Sequence, residues 1–332
     1  MNWIKKASQI PLSEIHAVAL ELQSAIDYSA KAELIERYRG YGLQVVEDPG
    51  SLYIVSLVQK ALREGRPYSV VRIGDGEANL LTFGGNIYTP YLNRLVAGHC
   101  VSRQADRFVV SDNSLYLVKH LMLESIYIAD VVGVRGIYYM GMPDYVSQVT
   151  PLAWAMKLNQ RPRRVGVLRS EAEMLKMARL GYLQGKVIAS ANLYLAIINN
   201  LELLLDKAYG SVILVTDQFN SVRLLQAKFP DVQFRVIPLP LTRLKWLRSP
   251  RMPVFVGLFE KFLGHHLEGS LVLVGAGPWA EFYCSIAKQR GAVAVDIGSG
   301  FDLLSGRNTR PFHRRLKITS QGQFSYESPL GS

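Results

Sequence analysis

From residue 164 onward, short apolar runs alternate with longer stretches of helical spacing, and this alternation restricts the chain more than any other feature. Strand-like runs fall at Arg164–Leu168, Lys186–Ala189, Ser211–Val215, Gln233–Ile237, Leu271–Val274 and Ala292–Ile297. Helical segments near 171–182, 193–207, 219–229, 252–267 and 279–290 lie between most of them. Strands interleaved with helices in this way build βαβ units, so the pattern predicts an α/β fold with a Rossmann-like, mainly parallel sheet. One further β-branched run, Ser69–Ile73, precedes the series. Residues 12 to 66 read as helical, on Ile15, Val18, Ala19, Leu22 and Ile26, then on Leu52, Ile54, Val55, Leu57, Val58 and Leu62. Asp48-Pro49-Gly50 separates the two stretches. The division expected is a helical N-terminal region over 1–66 and one Rossmann-like domain over 67–332. Between them, Phe83 to Val110 reads as loop, and Asn113–Ile128 as a helix capped by Asp112 or Asn113. In such a sheet ligands sit beyond the carboxyl ends of the strands.

Charge and cysteine content narrow the function classes. The formal net charge is +11. Basic residues gather at Arg161, Arg163 and Arg164, at Arg243, Lys245, Arg248 and Arg251 beside Trp246, and at Arg307, Arg310, Arg314, Arg315 and Lys317. Such clusters suit a diphosphate or an anionic membrane surface. No zinc-finger, ribonucleoprotein or helix-turn-helix signature accompanies them, which disfavours nucleic acid. No apolar run reaches the ~18 residues of a membrane span, and no signal-peptide core follows the basic start. The two cysteines, Cys100 and Cys284, lie far apart and form no metal or redox spacing, so each reads as a buried thiol in a reducing compartment. A cytoplasmic protein follows, with peripheral contact at the inner face of the plasma membrane left open, as is self-association.

The chemistry-bearing run is Arg72-Ile73-Gly74-Asp75-Gly76-Glu77, at the exit of the first strand. In an extended or turning backbone, Asp75 and Glu77 project to the same side. Two hard oxygen ligands with open positions for phosphate suit Mg²⁺ or Mn²⁺ carrying a nucleotide diphosphate. Asp-Gly is also a common turn dipeptide, so a solvated loop is the plainer alternative. Arg72 is either a phosphate contact or a structural ion-pair partner of one of those carboxylates.

A second glycine motif lies near the end. Leu271–Val274 runs into Gly275-Ala276-Gly277-Pro278, followed by a helix and then by Val293-Ala294-Val295-Asp296. It matches the dinucleotide-binding fingerprint, with an acid about 20 positions on. It also resembles the first motif of S-adenosylmethionine methyltransferases. In both folds several more strands follow, whereas the residues after Asp296 are polar, basic and rich in Gly and Ser. Phosphate binding by backbone N–H groups at this turn, or a tight turn without ligand, both remain open.

Together these motifs, in this order, resemble the GT-D-type glycosyltransferases, a family first catalogued as a domain of unknown function in bacterial glycan and glycoprotein clusters. The resemblance rests on Ser69 to Glu77, on Leu273 to Pro278, and on Val295-Asp296-Ile297-Gly298-Ser299. It runs from about residue 67 to about residue 310. Gly185–Ala191, Ser211–Val215 and Ile237-Pro238 fall in the expected order between the anchors. The resemblance implies a Rossmann-like fold whose Asp-x-Glu motif, here Asp75 and Glu77, binds a divalent metal and the sugar nucleotide's diphosphate. It departs where family members often carry His after Asp-Ile-Gly, since this chain has Ser299-Gly300-Phe301-Asp302.

The site expected is therefore Asp75 and Glu77 as metal ligands and catalytic residues, with Asp217 as a base or ribose contact at the end of a strand. Arg72, Gly74, Gly76, Gly275, Gly277 and Asp296 make up the nucleotide-binding surroundings. Asp217 also reads as a helix cap. Asp302, Asn192 and Tyr194 are further strand-end candidates, while Tyr138-Tyr139-Met140 reads as core or groove wall. His265-His266 reads as a helix-end dipole partner, and His313, among arginines, as surface. The function expected is metal-dependent transfer of a sugar from a nucleotide-diphosphate sugar, a UDP-sugar above others. The acceptor would be a glycan, glycolipid or glycoprotein in bacterial surface glycan assembly. Two alternatives stand beside it: a Rossmann-type methyltransferase or NAD-dependent enzyme built on Gly275 and Gly277, and a non-catalytic basic protein that binds nucleotide or membrane.

Overall fold

The computed structural model describes residues 31–84, 112–135, 171–206, 210–239 and 266–310, together with His313 and short stretches between 316 and 325. The expected strand at Arg164–Leu168, the first half of the N-terminal helical region, Cys100, Tyr138-Tyr139-Met140, His265, and the basic clusters around Arg161 and Trp246 lie outside the described residues.

The elements are α1 (Lys31–Gly40), β1 (Gln44–Val46), α2 (Leu52–Arg63), β2 (Tyr68–Ile73), α3 (Asp75–Leu81), α4 (Asp112–Ile128), β3 (Val131–Val134), β4 (Val187–Ser190), α5 (Tyr194–Asn199), α6 (Leu201–Leu205), β5 (Val212–Thr216), α7 (Phe219–Lys228), β6 (Phe234–Pro238), β7 (Leu271–Gly275), α8 (Ala280–Gln289), β8 (Val293–Asp296) and α9 (Gly300–Leu304). A helix over 171–179 precedes β4. A two-stranded hairpin, β9 (Lys317–Ile318) with β10 (Phe324–Ser325), follows α9. Among the described residues, β1 to β8 form one eight-stranded sheet in the order β1-β4-β3-β2-β8-β7-β5-β6. Every pairing in it is parallel. The α/β class is thus the one the alternating pattern predicts.

A parallel sheet needs cover on both faces, and the central strands show why. All five residues of β5 and all four of β8 are buried, as continuous apolar runs must be when helices lie above and below. One core holds Leu80 and Leu81 of α3, Leu115, Val118, Met122 and Ile126 of α4, and Tyr283, Cys284 and Ala287 of α8. The opposite core holds Ile54, Val58 and Leu62 of α2, Leu204 of α6, Val222 and Leu225 of α7, and Phe301 of α9. Cys284 is fully buried, and desolvation pushes its thiol pKa up, so its expected role as an inert core thiol fits.

Two strands were not legible. Gln44–Val46 falls inside the stretch read as helical, yet it pairs with β4 at the sheet edge. Three residues are too few to carry a period of two. Val131–Val134 follows α4 with only two residues between, and a short apolar run cannot be told from helix by periodicity. What stops α4 is a pair of lysines. Lys186 Nζ donates to the carbonyls of Tyr127 (2.5 Å) and Ala129 (2.7 Å), and Lys288 Nζ to Ile128 O (2.6 Å) and Asp130 Oδ2 (2.7 Å). Ammonium groups there satisfy end-of-helix carbonyls and oppose the helix dipole. No helix among the described residues is long and apolar enough to cross a membrane.

The sheet order also places a crevice. After β2 the chain leaves to the α4/α8 face, and after β8 it leaves to the α2/α9 face. Because β2 and β8 are hydrogen-bonded neighbours, their carboxyl ends part there, as at the switch point of an open α/β sheet.

Residue 66 is not a break in the packing, since α2 covers the same core as strands β2, β7 and β8. Leu62→Ala should therefore cost about 2–5 kcal/mol in denaturant unfolding, as a buried leucine of the main core does. Leu52→Ala, on the exposed side of the same helix, should shift the midpoint by less than about 0.5 kcal/mol.

Candidate functional site

Arg72 and Asp296 close the crevice between β2 and β8. Arg72 Nε donates to Asp296 Oδ2 at 2.9 Å and to its backbone carbonyl at 3.0 Å, and Nη2 donates to Asp296 Oδ1 at 3.0 Å. Nη1 donates to the Ala191 carbonyl at 3.0 Å, which ties in the end of β4. The guanidinium carbon lies 5.0 Å from the centre of the Tyr194 ring. This is the bidentate fork that only arginine offers a carboxylate, and nearly all of it is buried: Asp296 is 3% exposed. Two glycines make room for it. A Cβ at Gly133 of β3 would press on Arg72 Cγ, and one at Gly298 would land on the guanidinium itself. Arg72 is thus a structural ion pair, but with Asp296 rather than with Asp75 or Glu77.

The Gly74–Glu77 run behaves differently from an extended turn. Asp75 opens helix α3 directly after β2, so the same-side relation of residues two apart in extended chain does not hold. Glu77 turns back instead, and its Oε2 accepts the Gly74 N–H at 3.0 Å. Gly74 permits this, because a Cβ there would sit 2.6 Å from that oxygen. For Asp75 the description stops at the backbone.

Glu281, in the first turn of α8, was not anticipated. It is 1% exposed, and its Oε2 has no hydrogen-bond partner among the described residues. Burial first, then the negative charges of Glu77 and Asp296, push its pKa well above the ordinary carboxylate range, while Arg72 pulls it down. Burial also raises Asp296, against the opposing pull of Arg72. Glu281 therefore lies within electrostatic reach of Glu77 and Asp296, with the Arg72 guanidinium already committed to Asp296. In sequence, a lone acid in a helix's first turn reads only as a dipole partner, which is why Glu281 escaped notice.

The Gly275 turn has a packing explanation. A Cβ at Gly275 would overlap the Phe301 ring, and Gly277 takes φ +56°, where glycine is favoured. Asp217, at the end of β5, accepts from Gln218 Nε2 at 2.6 Å. Gln218 Oε1 in turn accepts from Arg307 Nη2. Arg307 also pairs with Asp302 at 2.7 Å, and Asp302 Oδ2 accepts from Thr309 Oγ1 at 2.7 Å. Asp217 and Asp302 therefore meet in a second network at the end of β5, which β8 and β7 separate from β2.

His313 is not on the surface: it is 1% exposed, and a hydrogen bond joins its Nε2 to Tyr194 Oη at 3.1 Å. Burial, reinforced by Arg310, lowers its pKa to about 4. Farther along, Asn199 of α5 clamps Phe324 of β10 through both backbone groups, at 2.7 and 2.9 Å. The segment after α9 is thereby fastened over α5 and α9 at Arg307, His313 and Phe324. Among the described residues, no three His, Cys, Asp or Glu side chains converge closely enough to hold a metal by themselves.

No family model matches the chain, and no curated protein matches it. Among solved structures it is similar to the selenomethionine-substituted structure of domain of unknown function 1792, with 15% sequence identity and a TM-score of 0.42, over 91% of this chain and 96% of that one.

Two outcomes follow from this geometry. Asp296→Asn strands a buried guanidinium and should cost about 3–5 kcal/mol in chemical denaturation, whereas Arg72→Met/Asp296→Asn together should recover part of that loss. For His313, the unfolded chain binds a proton near 6.5 that the folded chain refuses until about 4. Its contribution is therefore fully present above pH 6.5 and lost as pH falls toward 4. His313→Gln should flatten that part of the stability–pH curve, measured as urea midpoints from pH 7.5 to 5.

Proposed function

We propose that this chain is a metal-dependent glycosyltransferase that takes its sugar from a nucleotide diphosphate. The observation that carries the reading is the gathering of carboxylates at the carboxyl ends of β2 and β8. There the buried Glu281 lies within electrostatic reach of Glu77 and of Asp296, whose own partner is Arg72. A divalent cation fits such a gathering, and Mg²⁺ or Mn²⁺ with a nucleotide is held by one or two carboxylates while phosphate and water fill the other positions.

Asp75 and Glu77 are the residues proposed to hold the cation, which when bound neutralises charge developing on the departing diphosphate. Glu77 is presented by the first turn of α3, its carboxylate held at one oxygen by the Gly74 N–H. Arg72 is occupied by Asp296, so its part is to keep β2 and β8 joined and the crevice floor rigid. Asp217 is the residue proposed to contact the ribose or to take the acceptor's proton, and its carboxylate accepts a hydrogen bond from Gln218 Nε2. The acceptor in this reading is a glycan, glycolipid or glycoprotein of bacterial surface assembly. The basic residues from Arg307 onward suit one that carries phosphate, at the cytoplasmic face of a membrane. The methyltransferase or NAD-dependent alternative loses support because the space beside Gly275 is filled by Phe301.

A thermal-shift series over nucleoside diphosphates and their sugars, each with Mn²⁺ and with chelator, tests the proposal. One nucleotide family, UDP-sugars above others, should stabilise the wild type only with metal. At a hundredfold excess over Kd the gain should be about 2.7 kcal/mol, and Asp75→Ala should abolish it. Stabilisation by S-adenosylmethionine or NAD alone, indifferent to metal, would overturn the assignment.

A further inference from the structure

A buried polar atom without a partner is rare in folded proteins and calls for a specific cause, a missing ion or water among the usual ones. Glu281 Oε2 is such an atom, in a residue 1% exposed. Its position makes the cause narrow. Glu281 lies in the first turn of α8 and Glu77 in the first turn of α3, two helices that cover the same face of the sheet. The two carboxylates lie within electrostatic reach of each other, and Asp296 is a third negative group nearby. The one cation in the set, Arg72, spends Nε and Nη2 on Asp296 and Nη1 on the Ala191 carbonyl. Glu77 has one oxygen on the Gly74 N–H. No amide, hydroxyl or cationic side chain among the described residues donates a hydrogen bond to Glu281 Oε2.

We infer that Glu281 is a further carboxylate ligand of the divalent cation, reaching it from α8 across the crevice from Glu77. This deepens the proposed function and rests on it. Hard oxygen donors within electrostatic reach of each other on two helix starts, with phosphate and water to complete the shell, suit such a cation. A cation there would supply the partner that Glu281 Oε2 lacks and favour the charged carboxylate that burial and Glu77 disfavour. An acid buried solely for packing gives no reason for a second carboxylate to be brought beside it.

The test is Mn²⁺ titration by calorimetry, alone and in the presence of UDP, on the wild type, Glu281→Gln, Glu281→Asp and Glu77→Gln, with unfolding midpoints in chelator and in Mn²⁺. Glu281→Gln should weaken Mn²⁺ binding tenfold or more, since loss of even an outer-shell partner costs about 10–100-fold. Its midpoint in chelator should equal or exceed that of the wild type, because glutamine removes a buried group whose charged form its surroundings disfavour. Adding Mn²⁺ should raise the wild-type midpoint and leave that of Glu281→Gln nearly unmoved. That reversal is one a packing role cannot produce. If Glu281→Gln does not fold, Glu281→Asp carries the test, and its shorter reach should still weaken Mn²⁺ binding several-fold. Mn²⁺ binding within twofold of wild type in the Glu281 variants, but lost in Glu77→Gln, would overturn the role of Glu281 and leave the metal site standing. A wild type that binds no Mn²⁺ with or without UDP would overturn both.

Discussion

A parallel sheet whose neighbouring strands send their connections to opposite faces opens at their carboxyl ends, and in this protein the opening between β2 and β8 is held by one buried ion pair. Arg72 and Asp296 sit on adjacent strands of the centre of the sheet, more than 200 positions apart in sequence. Desolvating two charges costs several kcal/mol per ion, so the pair persists only because nearly every donor and acceptor in it is used. The fork takes both carboxylate oxygens, the remaining guanidinium nitrogen takes the Ala191 carbonyl, and the Tyr194 ring covers the face. Its surroundings are shaped to match, with glycine at 133 and 298 where any side chain would intrude. Conditions this strict fix β4, β3, β2 and β8 relative to one another.

That placement has an electrostatic consequence. With Arg72 committed to Asp296, the crevice carries Glu281 with one carboxylate oxygen that no hydrogen bond reaches among the described residues. Burying carboxylate in this way is unfavourable unless something positive or proton-donating completes it. The same end of the sheet is closed on its other side by the segment after α9. There Arg307 joins Asp302 and Gln218, and His313 passes beneath to meet Tyr194. Tyr194 thus touches both systems, its ring against Arg72 and its hydroxyl against His313. The acidic crevice and the basic C-terminal segment are therefore neighbours.

Much of the sheet was legible in the sequence because six of its strands are apolar runs bounded by turn residues: β2, β4, β5, β6, β7 and β8 lie within a residue or so of the segments read. What escaped was short or lacked punctuation. Val131–Val134 follows its helix without a glycine or proline to mark the change, and Gln44–Val46 has too few residues to show alternation. The site was legible in part. Arg72, Gly74, Glu77 and Asp296 are brought to one end of the sheet, but their pairing depends on which strands become neighbours, and no local pattern states that. For the same reason Gly275 reads as a phosphate turn until Phe301 is seen filling its space, and His313 reads as surface until Tyr194 is seen beside it. Glu281 carries no motif at all, and its significance comes only from burial and an unused oxygen.

The central claim is that the crevice between β2 and β8 is a cation-dependent nucleotide site. Anomalous diffraction from crystals grown with Mn²⁺ and UDP tests it most directly. A single strong Mn²⁺ peak about 2.0–2.2 Å from a Glu77 carboxylate oxygen, an octahedral metal–oxygen distance, with the diphosphate alongside it, is the predicted result. UDP seated instead on the Gly275–Pro278 turn, with no metal between β2 and β8, would contradict it.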